Sequence, residues 1–178
     1  MDVYLIRHAV AVEHGVWLGD DEQRPLTRGG RRRFTEVVVG LGQARVLFDA
    51  VWHSPLLRAA ETAALLQPLC SGPINETPSL AEHPTLERLE ALLEGARPAE
   101  SVAFVGHEPL LSATIGLLLF GAALPSGRDA PFQMKKGAVA YLTGDQPGGF
   151  VLRALWPPST LRARASRAPS DPATTEPE

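Results

Sequence analysis

The chain has little cysteine, little net charge and no long apolar run. One cysteine in 178 residues, Cys70, excludes an internal disulfide and a thiolate metal cluster. Cys70 reads as a small buried hydrophobe. Lys and Arg total 17 against 20 Asp and Glu, a formal charge of −3, so the basic excess of a nucleic-acid binder is missing. No apolar stretch approaches the roughly 18 residues of a membrane span. The first residues form a strand-like run, not the pattern of a secretion signal. His14, His53 and His83 lack the spacing of metal ligands, and no metal or other cofactor is expected. A cytoplasmic enzyme or binding domain remains, with no nucleic acid and no membrane among its partners. The length suits one domain with a substantial core.

What is present is an alternation of strand-like and helix-like segments. Val3-Tyr4-Leu5-Ile6 is a continuous apolar strand. Residues 9–26 are irregular, broken by Gly15, Gly19 and Pro25. Thr27 is placed to cap a helix reaching about residue 42, with Phe34, Val37, Val38 and Leu41 on one face. A second strand is expected over 46–53, and Ser54-Pro55 opens a helix to about residue 69. Residues 71–79 read as loop, 85–93 as helix, 102–106 as strand and 109–120 as helix. Residues 121–136 read as loop. Residues 138–143 and 150–155 flank a Gly-rich turn and form a hairpin. The expected fold is a three-layer α/β/α sandwich with a mostly parallel sheet and at least one antiparallel strand. Residues 1–157 would be the domain, and 158–178, rich in Pro, Ala and charge, a mobile tail.

Chemistry concentrates at the strand ends. Arg7-His8 follows the first strand, and Gly106-His107-Glu108-Pro109 follows the strand at 102–106. That carboxyl edge is where parallel sheets bind ligands. Taken alone, each His is a satisfied loop or core histidine and Arg58 is a solvated helix charge. Together they make a cationic site. Guanidiniums offer planar, paired donors to phosphate oxygens, and helix N-termini favour anions. Surrounding positive charge also disfavours imidazolium, so a His there is neutral and nucleophilic. Arg31-Arg32-Arg33 read as a solvated helix face, and Glu108 as a helix-start carboxylate.

The chain resembles the histidine phosphatase, or phosphoglycerate-mutase-like, superfamily, and in particular its short single-domain bacterial phosphohistidine phosphatases. The pieces that carry the resemblance are Leu5-Ile6-Arg7-His8-Ala9, Arg24-Pro25-Leu26-Thr27 with Gly30, Ser54-Pro55-Leu56-Leu57-Arg58-Ala59 with Thr62, and Val105-Gly106-His107-Glu108-Pro109. They occur in the family's order over roughly residues 2–155. The resemblance implies a metal-independent phosphatase in which His8 attacks phosphorus and becomes phosphohistidine. Arg7, Arg58 and His107 would grip the phosphoryl oxygens. Its substrate would be phosphohistidine of a phosphorelay protein such as a His-phosphotransfer domain. A small phosphate ester is the alternative, and a phosphate-binding module without turnover a third reading. Two departures matter. Ala9 stands where the family usually has Gly, which implies a small change in geometry. The general acid has no clear counterpart; Glu82 is the nearest match, with Asp20, Asp21 and Glu13 behind it.

Overall fold

The computed structural model describes residues 1–125 and 130–166. In chain order the elements are β1 (Asp2–Arg7), α1 (Arg28–Gln43), β2 (Ala50–His53), α2 (Leu57–Ala64), β3 (Ile74–Glu76), α3 (Leu86–Gly95), β4 (Ser101–Gly106), α4 (Leu110–Phe120), β5 (Val139–Thr143), β6 (Val151–Trp156) and α5 (Pro158–Ala165). Short 3-10 turns lie at Asp21–Gln23, Gln67–Leu69 and Pro78–Leu80.

The strands form one six-stranded sheet in the order β3-β2-β4-β1-β5-β6. β3, β2, β4 and β1 run parallel; β5 is antiparallel to both β1 and β6. The fold is thus the expected mostly parallel α/β sandwich. β1 is apolar over residues 3–6 because both faces of that stretch are covered. Tyr4 and Ile6 pack with Phe34, Val37 and Leu41 of α1, Ala63 of α2 and Leu161 of α5. Val3 and Leu5 pack on the other face with Leu89 and Leu93 of α3 and Ile115 and Leu118 of α4. Full burial of one such side chain is worth about 1.5–3 kcal/mol.

Register sets the site. Arg7 of β1 lies opposite Gly106 of β4, and His53 of β2 lies opposite Val105. The backbone bonds continue past the strands, from His8 N–H to the Gly106 carbonyl and from Ser54 N–H to the Val105 carbonyl. Three neighbouring parallel strands therefore end at one level and release His8, Ser54 and His107 side by side.

Several expectations need correction. The strand predicted over 46–53 begins only at Ala50; Phe48 before it pairs by an isolated bridge to Cys70. The helix predicted to residue 69 stops at Ala64, and Pro68 then sits in a 3-10 turn. Proline offers no N–H and disfavours helix in the residue before it. The loop predicted over 71–79 contains β3, too short to show an alternating pattern. The mobile tail predicted over 158–178 is replaced over Pro158–Ala165 by α5, whose Leu161 is buried against the core. Pro158 suits its first turn, where no N–H is needed. Gly40 of α1 makes the docking possible, since a Cβ there would sit 2.1 Å from the Leu161 carbonyl oxygen. The remainder of that predicted tail, 167–178, and part of the loop predicted over 121–136, namely 126–129, lie outside the described residues.

Candidate active site

His8 leaves the end of β1 into a buried position. Its Nδ1 bonds the Ala9 carbonyl at 2.7 Å. A carbonyl only accepts, so Nδ1 carries the ring proton and Nε2 keeps its lone pair. Ala9 is itself held: its N–H donates to Thr62 Oγ1 at 3.0 Å, and that hydroxyl donates to the Arg58 carbonyl at 2.6 Å. Thr62 thereby ties the β1 loop to the first turn of α2. Ala9 stays out of the positive-φ region, where Arg45 is the only non-glycine among the described residues. The methyl that replaces the family's glycine needs no unusual backbone.

His107 emerges from β4, and its ring centroid lies 5.1 Å from that of His8. Ser54 is the hydrogen-bond partner of its ring. Ser54 Oγ accepts from Leu56 N–H at 3.3 Å and lies 2.8 Å from His107 Nε2. A hydroxyl can both donate and accept, and donation to Nε2 puts the ring proton on Nδ1, the nitrogen that has no partner among the described residues. Burial is the main cause that pushes both imidazoles down, His8 to about 3 and His107 to about 4. The positive charges of Arg58 and Arg7 push both the same way. Both rings are neutral at ordinary pH.

Arg58 comes from the first turn of α2 and is 7% exposed. Its Nη1 donates to the Asp21 carbonyl at 2.8 Å and its Nη2 to Asp21 Oδ2 at 3.0 Å. Arg7, at the end of β1, donates from Nη1 to the Met134 carbonyl. Desolvation lowers the proton affinity of both guanidiniums, opposed at Arg7 by Glu108 and at Arg58 by Asp21. Buried nitrogens without a partner are uncommon. Arg7 Nε, Arg58 Nε and His107 Nδ1 are buried and have none among the described residues.

Arg7, His8, Arg58 and His107 are thus brought together. Glu82 is not joined to them: it is half-exposed and pairs with Arg88 Nη2 at 2.8 Å. No hydrogen bond or ion pair among the described residues links it to the other four. Glu108, read as a helix-start carboxylate, accepts from Ser112 N–H and Oγ–H and also from Met134 N–H at 2.7 Å. It holds the segment whose carbonyl binds Arg7. Sequence reasoning missed Ser54 and Met134 as partners, and it weighed Asp21 only as an acid. Gly30 follows a different logic. A Cβ there would fall 2.1 Å from the Val10 carbonyl oxygen, so glycine lets the segment after His8 lie on the start of α1.

The sequence profile of the histidine phosphatase superfamily (branch 1) matches residues 3–85. An uncharacterised protein of Picosynechococcus sp. (strain ATCC 27264 / PCC 7002 / PR-6) is 34% identical over 124 residues, 68% of this chain and 74% of the relative. The solved structure of the protein histidine phosphatase SixA complexed with tungstate superposes with a TM-score of 0.70 at 25% identity, covering 90% of this chain and 99% of that one. The alpha-ribazole phosphatase from Shigella flexneri gives a TM-score of 0.68 at 24% identity, over 87% and 96% of the two chains. Fold, profile and likeness together define a phosphatase, a phosphoric hydrolase. The chain belongs to the histidine phosphatase superfamily and is SixA-like within it. No helix among the described residues is long and apolar enough to cross a membrane.

Proposed function

We propose that the chain removes phosphate from phosphohistidine of a protein, such as a His-phosphotransfer domain of a phosphorelay, through a covalent intermediate on His8. The observation that carries this reading is the tethered ring, with Nδ1–H on the Ala9 carbonyl and Nε2 left as the nucleophilic nitrogen. In the first step the Nε2 lone pair attacks phosphorus in line. The substrate's P–N bond breaks, and its electron pair leaves with the substrate imidazole. In the second step water attacks phosphorus, the bond from phosphorus to Nε2 breaks, and phosphate departs as the water's proton passes to solvent. Arg7, Arg58 and the Nδ1–H of His107 bind the equatorial oxygens and stabilise the charge gathering there. In this reading the guanidiniums supply the positive charge, and the reaction is metal-independent.

The carboxylates support phosphohistidine over an ester. Asp21 and Glu108 accept from protein donors, and Glu82 pairs with Arg88. An alkoxide leaves poorly without a proton donor, whereas an imidazole protonated at its other nitrogen departs as a neutral molecule. A small-ester substrate keeps one supporting observation: the Leu80 carbonyl borders Gly106, so the segment carrying Glu82 runs beside the strand that delivers His107. If Glu82 serves esters as an acid, Glu82→Gln lowers ester hydrolysis about 100-fold and phosphohistidine hydrolysis far less. Equal losses on both would remove Glu82 from that role.

The test is a time course on a phosphotransfer domain phosphorylated at histidine, beside a panel of small phosphate esters, with His8→Ala as the blank. Faster release from phosphohistidine is expected. Release confined to esters would overturn the substrate assignment, and no turnover of either with phosphate still bound would leave a binding module.

A further inference from the structure

The carboxylate behind Arg58 has a task that the phosphatase reaction, as drawn above, leaves unassigned. Arg58 is a buried cation, and a buried guanidinium without a counter-charge is strongly unfavourable. Asp21 meets it twice, by its carbonyl at Nη1 and by Oδ2 at Nη2. Two anchors from one residue fix a planar fork against rotation as well as translation. They leave Nε–H and one N–H on each terminal nitrogen, and Nε is buried without a partner among the described residues.

Asp21 is in turn held from several sides. Its Oδ1 accepts from Arg24 Nε at 2.7 Å and from His14 Nδ1–H at 3.1 Å. Arg24 Nη1 continues to the Val12 carbonyl at 2.7 Å, and Trp17 Nε1 donates to the Asp20 carbonyl at 2.9 Å. The segment between β1 and α1 is therefore folded around Asp21. Arg24 and Arg58 repel each other, and the carboxylate between them offsets that repulsion.

We infer that Asp21 is a positioning residue of the phosphoryl site, anchoring the outer edge of the Arg58 guanidinium so that its remaining donors face the phosphoryl oxygens. The inference rests on the reading that Arg58 binds those oxygens, but on no particular substrate. It also takes Asp21 out of the acid role. Both carboxylate oxygens face donors, chiefly Arg24, and these hold the group ionised, at about 2.

A double-mutant cycle with an aryl phosphate as substrate and tungstate as inhibitor tests this. Arg58→Ala and Asp21→Ala are each expected to lower kcat/KM and to weaken tungstate inhibition by about 10-fold or more. In the Arg58→Ala background, Asp21→Ala should then cost less than about twofold more. Both variants keep the main-chain carbonyl anchor; Asp21→Asn also keeps one side-chain acceptor, and falls between wild type and Asp21→Ala. Multiplying losses in the cycle would overturn the inference. So would an Asp21→Ala protein that melts earlier yet keeps kcat/KM and tungstate affinity below its melting range. A loss confined to esters with poor leaving groups would return Asp21 to the acid role. If Arg58→Ala alone has no effect, the reading of the phosphoryl site fails instead.

Discussion

At the scale of single residues, the site depends on which nitrogen of each imidazole carries the proton. His8 is set by a backbone carbonyl, and His107 is held at Nε2 by the Ser54 hydroxyl. Ser54→Ala removes that second hold and leaves His107 Nε2 without its partner. We expect kcat to fall about 10-fold with little change in melting temperature, since a small hydroxyl is lost and the packing kept. Unchanged kinetics would mean that His107 needs no such hold. The depressed imidazoles also predict pH behaviour. His8 titrates near 3 and His107 near 4 when folded, against about 6.5 unfolded. Between these limits the unfolded chain binds more protons, so stability is full above about pH 6.5 and is lost as pH falls toward 4 and 3. His8→Ala should flatten that decline in urea titrations across pH. In kcat/KM, corrected for ionisation of the substrate, the enzyme's acid limb should lie below pH 5, whereas a limb near 6.5 would contradict the buried, neutral rings.

At the scale of elements, the strand ends were legible because fully buried parallel strands are short apolar runs with an abrupt polar stop. Val3-Tyr4-Leu5-Ile6 before Arg7 and Val102-Ala103-Phe104-Val105 before Gly106 are of this kind. Thr27 was legible as a cap, and its side chain accepts from Gly30 N–H; Thr85, read as the first residue of a helix, is the cap of α3 and accepts from Arg88 N–H. β3 and α5 were not legible. β3 is a three-residue edge strand between prolines. α5 docks through one buried leucine in a run of Pro, Ser, Thr and Arg, and its fit depends on Gly40 over a hundred residues away. Gly40→Ala should therefore displace α5 and destabilise the protein by about 1–3 kcal/mol, a loss of roughly 2–12 °C in Tm. Leu161→Ala should cost about 2–3 kcal/mol. Thermal melts of both variants check this, and unchanged melting would mean that α5 does not rest on α1 in solution.

At the scale of the whole molecule, four side chains from three distant segments meet because β1, β2 and β4 lie side by side and stop together. The sequence places Arg7, His8, Arg58 and His107 in motifs, but it does not contain the register that makes them neighbours. Nor could it indicate that Asp21 meets Arg58, since the path of residues 9–26 follows no period. What binds that path is a set of polar contacts, Arg24 to Val12 and Asp21 to Arg58, which no pattern of hydrophobicity records. Glu82 shows the same limit: its segment runs beside β4, and its side chain pairs with Arg88 at the surface, a contact that no hydrophobic pattern records.

The central claim is that His8 takes up the phosphoryl group. Rapid quenching in alkali during turnover, followed by peptide mass analysis, tests it most directly. The account predicts an acid-labile, alkali-stable phosphoryl group on the peptide bearing His8, formed at least as fast as turnover and missing from His8→Ala. Turnover that proceeds with no label on His8, or with the label on another residue, would contradict it.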